Sequence, residues 1–486
     1  MNVYYYPAFI VMFAALLILI QLCFKRSHVL SYITSGLSLL AALIMQIYLQ
    51  THSNNLINNQ SISSDVLFVF NAETSFVSLL LLMVVIIIWA QLYHWLKTIN
   101  EQNEQNEEYY LLFLLTTMGG LIMVSSNHFA SFFLGLELMS LSFVGLIAYC
   151  GHDQKAQEAG IKYLILSAIA SAFILMGAAL LYLQFGSLSF SALLQDSSSQ
   201  ILPQWAIITA IIFIFTGLFF KLSLVPCHLW IADLFEGAPL VTAAMLATLS
   251  KLAVFIILWR LVTLGHWQQY QIIIDIISIV AITSMFIGNF LGLLQKKLLR
   301  LIAYSSIAHF GYLLIVLLLI NNHAISFSSQ SFNEQTLFFY LVAYLFTLVG
   351  VFSVFMQLPK IKTLDDLSGL FWHKPVIAIT LMLLMLSLAG IPLTLGFMAK
   401  FYLVMAAVSQ QLWLVLTALV ISSIIGLFYY LRVIMAMLKT PVDELKFSDI
   451  KSDGSSLSLN LLILFLVIGF GVFPSSLSQF IQQVTG

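Results

Sequence analysis

Charge is scarce in this chain. Only 8% of its 486 residues are Asp, Glu, Lys or Arg, against about a quarter in soluble domains. A chain so poor in charge cannot clothe itself in solvated side chains, which excludes an ordinary water-soluble domain. The formal net charge is −1, so there is no basic surface for nucleic acid and no polybasic membrane patch. Cysteine is scarce too: Cys23, Cys150 and Cys227 are scattered, with no C-x-x-C. That spacing excludes a disulfide framework or a thiolate metal site. There is no Walker A motif, no dinucleotide glycine fingerprint and no iron–sulfur cysteine set. No basic region precedes the first apolar run and no small-residue cleavage signal follows it, so that run reads as a retained helix rather than a signal peptide.

Hydrocarbon is what the chain has in plenty. Hydrophobic residues make up 61% and aromatics 14%, and the mean hydropathy is +1.03. A spanning helix needs roughly 20 mostly apolar residues. Such runs fall at 6–24, 30–49, 75–95, 110–126, 128–149, 160–184, 204–225, 238–262, 271–294, 298–320, 335–357, 376–405, 409–435 and 457–475. The expectation is an all-α polytopic membrane protein of about fourteen helices. Lysine and arginine then set its orientation. Alternate loops hold Lys25 and Arg26; Lys97; Lys155; Lys296, Lys297 and Arg300; Lys360, Lys362 and Lys374; and Arg432, Lys439, Lys446 and Lys451. The intervening loops hold none, and only Arg260, near one outer helix end, runs against the bias. The basic loops are expected in the cytoplasm, with both termini outside.

Glu137, Lys221, Lys251 and Lys400 lie inside the runs with apolar sequence on both sides. A charge at the centre of a spanning helix costs about 2.5–3.5 kcal/mol on insertion scales, so such groups usually face the bundle interior and partner one another. Helix counting adds a second pattern. The fourth to eighth helices (110–262) and the ninth to thirteenth (271–435) make two sets of five, flanked by helices 1–3 (1–109) and a C-terminal helix (457–486). Five is odd, so the sets cross in opposite senses. Lys221 is in the fourth member of one set and Lys400 in the fourth of the other. Each is beside a helix breaker: Pro226 after Lys221, and Gly390 with Pro392 before Lys400. Interrupted helices at matching places in inverted repeats point to a transport site. The seventh and twelfth helices are therefore expected to be broken.

The stretches LGLELMSLSFVGLIAY, FKLSLVPCHLWIADLFEGAP, TLSKLAVF, IAYSSIAHFGY and LAGIPLTLGFMAKFYLV resemble the antiporter-like membrane subunits of bacterial respiratory complex I, the N branch (mitochondrial subunit 2) most closely. The FK…P.HLW..D…GAP block is specific to that superfamily, which also includes subunits of Mrp-type sodium/proton antiporters, the alternative reading. Lys400 stands where the M branch typically has glutamate, and Cys227 replaces a more usual aromatic. The resemblance implies two inverted five-helix bundles and a hydrophilic axis along the membrane midplane. In it Glu137 and Lys221 would be a coupling ion pair, Lys251 a central relay, and Lys400 the residue of an outward half-channel. It implies proton translocation driven by partners, namely paralogous and small membrane subunits and a peripheral redox arm, with FMN, iron–sulfur clusters and quinone on those partner subunits and no cofactor or metal on this chain. The setting it implies is a bacterial inner membrane.

A lysine held from water next to a carboxylate keeps its proton, and frees it when the pair is disturbed. Thr248 and Ala244, one and two turns before Lys251, would leave that face room for water. Further candidates are open to a second reading. His228 is a relay or a cap on carbonyls freed at Pro226, and His309, mid-helix, is a relay or a core histidine. Lys162 is an inner anchor or an aid to proton uptake. Asp233 and Glu236 are expected as cap and turn residues.

Overall fold

A computed structural model describes residues 5–24, 26–57, 67–99, 106–150, 153–194, 203–319, 327–358, 361–440 and 454–485. Lys25, Lys360, Lys446 and Lys451 of the basic loops lie outside them, as does most of the acidic run after Asn100. Among the described residues there is no β-strand, only three isolated bridges. The helices are α1 (Tyr6–Phe24), α2 (His28–Ile57), α3 (Ala72–Ile99), α4 (Glu107–Ser125), α5 (Phe129–Ile147), α6 (Gln154–Phe185), α7 (Gln204–Leu222), α8 (Leu229–Gly237), α9 (Leu240–Met245), α10 (Lys251–Leu264), α11 (Gln271–Leu294), α12 (Leu298–Leu318), α13 (Phe327–Gln357), α14 (Leu370–His373), α15 (Pro375–Ala389), α16 (Leu395–Ser409), α17 (Trp413–Leu438), α18 (Gly454–Val472) and α19 (Pro474–Thr485).

Twelve of the described spans are long and apolar enough to cross a membrane, and thirteen if the bent pair α18–α19 counts as one. The run at 376–405, read from sequence as a single interrupted span, is two helices of 15 residues each, α15 and α16. Helix-only architecture follows from the solvent: in lipid every main-chain polar group must be satisfied within its own segment.

The chain divides into two compact units. The first comprises Met1–Leu222 with Gly237–Ile273 and the last three residues; the second comprises Ser223–Glu236 with Ile274–Gln483. In the first unit the span through α9 and α10 is 94% buried, whereas α1 is 28% and α2 33% buried. In the second, the spans in α12 and α13 are 94% and 100% buried, against 33% for α11 and 39% for α17. All these helices are apolar around their circumference, so their hydrophobicity cannot tell core from rim. The polar residues do, because hydrocarbon accepts Phe13, Leu37 or Phe428 outward but not Lys251 or His309.

The helix interruptions have local causes. A proline ring clashes with the carbonyl four residues back; for Pro226 that residue is Leu222, the last of α7. Ser223 then takes a left-handed φ of 59°, and Val225 N donates to Ser284 Oγ at 3.0 Å. At the other break Gly390 closes α15 with φ 82°. Its N–H and that of Ile391 return to Leu386 O at 3.0 and 3.1 Å, a Schellman-type stop. Leu393 is also left-handed, at φ 74°. A third irregularity was not legible in the sequence: α9 and α10 are joined by a π-helical turn, Leu246–Ser250, directly before Lys251.

Candidate functional site

Glu137 and Ser140 lie three residues apart on α5, and Tyr163, Ser167 and Ser171 four apart on α6. These spacings put each set on one helix face. The two faces meet Lys221, the penultimate residue of α7, which is 2% exposed. Lys221 Nζ donates to Ser140 Oγ and Ser167 Oγ, both at 2.6 Å, and lies 5.7 Å from the centroid of the Tyr163 ring. Ser171 Oγ donates to Glu137 Oε1. So short a side chain as serine reaches the ammonium because α6 and α7 almost touch: a Cβ on Gly217 would lie 2.6 Å from Ala170 O. The carboxylate of Glu137 acts electrostatically on Lys221, but no ion pair joins them within 4.0 Å. Where a direct Glu137–Lys221 pair was expected, serines hold each member separately. Lys251, 1% exposed, follows the π-turn in the same unit. Thr248 beside it spends its hydroxyl on Ala244 O at 2.7 Å.

In the second unit Lys400 reaches back from α16 across the break. Its Nζ donates to Leu388 O at 3.1 Å and Ala389 O at 2.9 Å, the last carbonyls of α15 and the negative end of that helix's dipole. The approach needs Gly396, where a Cβ would fall 1.9 Å from Ser387 O. On its other side the ammonium lies 5.3 Å from the Tyr312 ring centroid, within cation–π range. Tyr312 is tied in turn: Asn289 Nδ2 donates to its hydroxyl at 2.9 Å, and Tyr429 OH donates to Asn289 Oδ1 at 3.0 Å. His309, 6% exposed, bonds Tyr340 OH through Nδ1 at 2.8 Å and Tyr430 OH through Nε2 at 3.3 Å. A cavity with about 10 Å³ of room for the centre of a water lies among His309, Tyr340, Thr347, Ser387 and Lys400, enough for about one molecule.

Comparison with known proteins identifies the family. The family described as NADH:quinone oxidoreductase/Mrp antiporter, TM, matches residues 126–426. The chain belongs to that family. NADH-quinone oxidoreductase subunit N of Shewanella woodyi is 51% identical over 487 residues, covering 100% of both chains. Three solved assemblies contain chains of the same fold. Respiratory complex I from Thermus thermophilus with bound aureothin matches with a TM-score of 0.80 at 24% identity, over 97% of this chain and 98% of that one. The Mrp complex from Dietzia sp. DQ12-45-1b gives 0.85 at 18%, over 100% and 97%. The archaeal membrane-bound sulfane sulfur reductase gives 0.83 at 19%, over 100% and 97%. This family member is thus a multi-pass, antiporter-like membrane subunit of the NADH-quinone oxidoreductase type.

The remaining candidates from sequence are Lys162, His228, Asp233 and Glu236. Lys162 is exposed on α6 and pairs with Glu158 at 2.6 Å. His228 is buried beyond the first break, and its Nδ1 has no hydrogen-bond partner; burial lowers its pKa, partly opposed by the main chain of Pro226. Asp233 and Glu236 are more than cap and turn residues: Arg300 pairs with Asp233 and, through Nε, with Glu236 at 2.8 Å, while Lys297 meets Glu236 at 2.5 Å. Sequence reasoning passed over Ser140, Ser167, Ser171, Asn289, Tyr312 and Tyr430. The spacing of Ser140 from Glu137 was a usable signal. The rest read as ordinary helix polar residues, which spanning helices satisfy by bonding to the preceding turn.

Proposed function

We propose that this chain is a proton-translocating membrane subunit of an NADH:quinone oxidoreductase, driven by redox chemistry in partner subunits. The observation that carries this reading is the pairing of a half-buried lysine at a broken helix with a water-sized cavity it shares with a buried histidine. If Lys400 gives up its proton, the amine's two N–H groups still serve both carbonyls of α15. Its lone pair then faces the cavity, where one water can donate and so return a proton. In the first unit the hydroxyls of Ser140 and Ser167 can accept from the ammonium of Lys221 or donate to its amine, so they serve both protonation states. Glu137 biases that choice through its charge. Protons would be handed on in the order Lys221, Lys251, Lys400, with His309 as a relay; His228 and Lys162 are candidates for uptake.

The energy has to come from outside. Driving one charge against 100 mV costs about 2.3 kcal/mol, and this chain carries no motif for nucleotide or redox chemistry. Flavin, iron–sulfur clusters and quinone would belong to a peripheral arm and neighbouring membrane subunits. The relative at 51% identity favours this assembly over an Mrp-type sodium/proton antiporter. We place the chain in a bacterial inner membrane with its basic loops inside and termini outside, and its helices 4–8 and 9–13 as inverted repeats around the two lysine sites.

The test is NADH-driven proton uptake by proteoliposomes that contain the whole enzyme with Lys221→Ala or Lys400→Ala in this chain. Sharply reduced pumping with the enzyme fully assembled is expected. Undiminished pumping by both variants overturns the reading, and sodium-dependent transport without NADH replaces it with the antiporter.

A further inference from the structure

We infer that Arg260 is an electrostatic plug that denies protons an outward exit through the first unit. The inference rests on the proton-translocating reading above and adds a directional element to it. Lys251 begins α10, and Arg260 lies nine residues along the same helix, about 14 Å further at 1.5 Å per residue, towards the end remote from the basic loops. It is the basic residue that the orientation rule leaves unexplained.

Its environment is unusual for a charge. Arg260 is 7% exposed. Its side chain donates from Nη1 to Ser126 O at 2.7 Å, the carbonyl of the residue that caps α4. Glu73, in the first turn of α3, acts on it electrostatically, yet among the described residues no carboxylate comes within 4.0 Å. A guanidinium does not lose its proton at any physiological pH. What remains is a permanent, incompletely compensated positive charge in the buried part of the unit, beyond the last titratable lysine. Fixed arginines in pores exclude protons and cations by that means. The charge blocks a second cation, hydronium included, from passing Lys251 towards the outer end, and so leaves the second unit as the outlet. If Arg260 only capped α4, its charge would matter less than its ability to donate to Ser126.

The experiment separates charge from hydrogen bonding. The whole enzyme is reconstituted in vesicles without NADH, a potassium diffusion potential is imposed, and passive proton leak is followed with a pH-sensitive dye. Arg260→Gln keeps a donor for Ser126 and removes the charge; it is expected to raise the leak at least about fivefold, while Arg260→Lys, whose buried ammonium can release its proton, is expected to leak less than the glutamine variant and more than the native enzyme. Adding Lys251→Ala to Arg260→Gln is expected to bring the leak back down, since the path would run through that lysine. Arg260→Met serves as the neutral variant if glutamine prevents assembly. Vesicles with assembled Arg260→Gln or Arg260→Met as tight as native overturn the inference, and so does a leak that Lys251→Ala leaves unaltered. If neither neutral variant assembles while Arg260→Lys does, the charge serves assembly of the enzyme and the inference also falls. Leak without NADH is independent of pumping, so this outcome and the fate of Lys221→Ala and Lys400→Ala are read separately.

Discussion

Lys221 and Lys400 are the same side chain beside the same kind of helix break, and the two units hold them in opposite ways. Lys221 is met by two side-chain hydroxyls, with a carboxylate at a remove. Lys400 is met by two main-chain carbonyls and a tyrosine face, with no carboxylate among its contacts. Hydroxyls rotate and can donate or accept, and a charge beside them can change. Carbonyls at a helix end are fixed, and so is the dipole behind them. On the proton-translocating reading proposed above, the first site would be switched by its neighbour, while the second would be a standing acceptor. A directional device needs that asymmetry: one station whose hold on a proton varies and one whose hold does not.

The sharpest way to break this contrast is to take away the adjustable partners. Ser140→Ala with Ser167→Ala leaves the Lys221 ammonium buried without either hydrogen bond. Bonds to a charged group are worth about 1.5–3 kcal/mol each, so NADH-driven pumping is expected to fall by about tenfold or more, and by a few-fold for either single change. The matching variant in the second unit cannot be made, since carbonyls have no side chain to delete. If the double serine variant pumps at the native rate, the hydroxyls are packing and the distinction between the sites disappears.

The next largest effect tests the close approach behind each site. In Gly396→Ala the added methyl would meet the Ser387 carbonyl, main chain that cannot step aside. In Gly217→Ala it would meet Ala170 O and the end of the Ile174 side chain. Overpacking of this kind costs about 1–3 kcal/mol. Gly396→Ala should lower the thermal stability of the solubilised enzyme more than Gly217→Ala does, because one of the latter's neighbours can rotate. A smaller effect is expected at Tyr312. Tyr312→Phe keeps the ring over Lys400 and loses the hydroxyl that Asn289 donates to, so pumping should stay within about twofold. Tyr312→Leu also loses a cation–π contact worth about 0.5–2 kcal/mol, and should pump measurably less than the phenylalanine variant. Equal pumping by the two would remove the ring from the account of the second site.

How far these sites were legible in the sequence depends on the kind of residue. The lysines and Glu137 stood out because hydrocarbon makes an internal charge expensive, and Pro226, Gly390 and Pro392 because they cannot continue a helix. The partners did not stand out. Ser167 and Tyr312 are unremarkable in a spanning helix until a neighbouring helix brings an ammonium to them, and carbonyls carry no sequence signal at all. The π-turn before Lys251 has no glycine or proline to announce it. The expected Glu137–Lys221 ion pair was what the family resemblance implied; that serines hold each member separately is decided by how closely α6 approaches α7, which small residues such as Gly217 permit but do not specify. The ion-pair group of Asp233, Glu236, Lys297 and Arg300 was missed for the same reason, since each acid is about 60 residues or more from its basic partners.

The smallest predicted effect concerns His228, which stands beyond the Lys221 break and outside the spanning segments. Burial disfavours its charged form, and the main chain of Pro226 only partly offsets this. Its pKa in the folded protein is therefore below the ordinary value of about 6.5 that it regains on unfolding. In that range the unfolded chain binds more protons, so stability rises with pH. The contribution of neutral His228 is fully present above about pH 6.5 and is eroded as the pH drops below it. His228→Gln cannot take up a proton, so its thermal midpoint should lose less than the native enzyme's between neutral pH and about pH 5.5. The other acid-sensitive groups are common to both proteins, which makes the difference between the two curves the quantity to measure. A constant difference across that interval would mean that folding leaves the histidine's pKa unchanged, and a reversed one, with the native enzyme losing less than the variant, that it holds its proton near neutrality. A positive charge would then stand close to Lys221 along the chain, and the first site could not be adjusted by Glu137 alone.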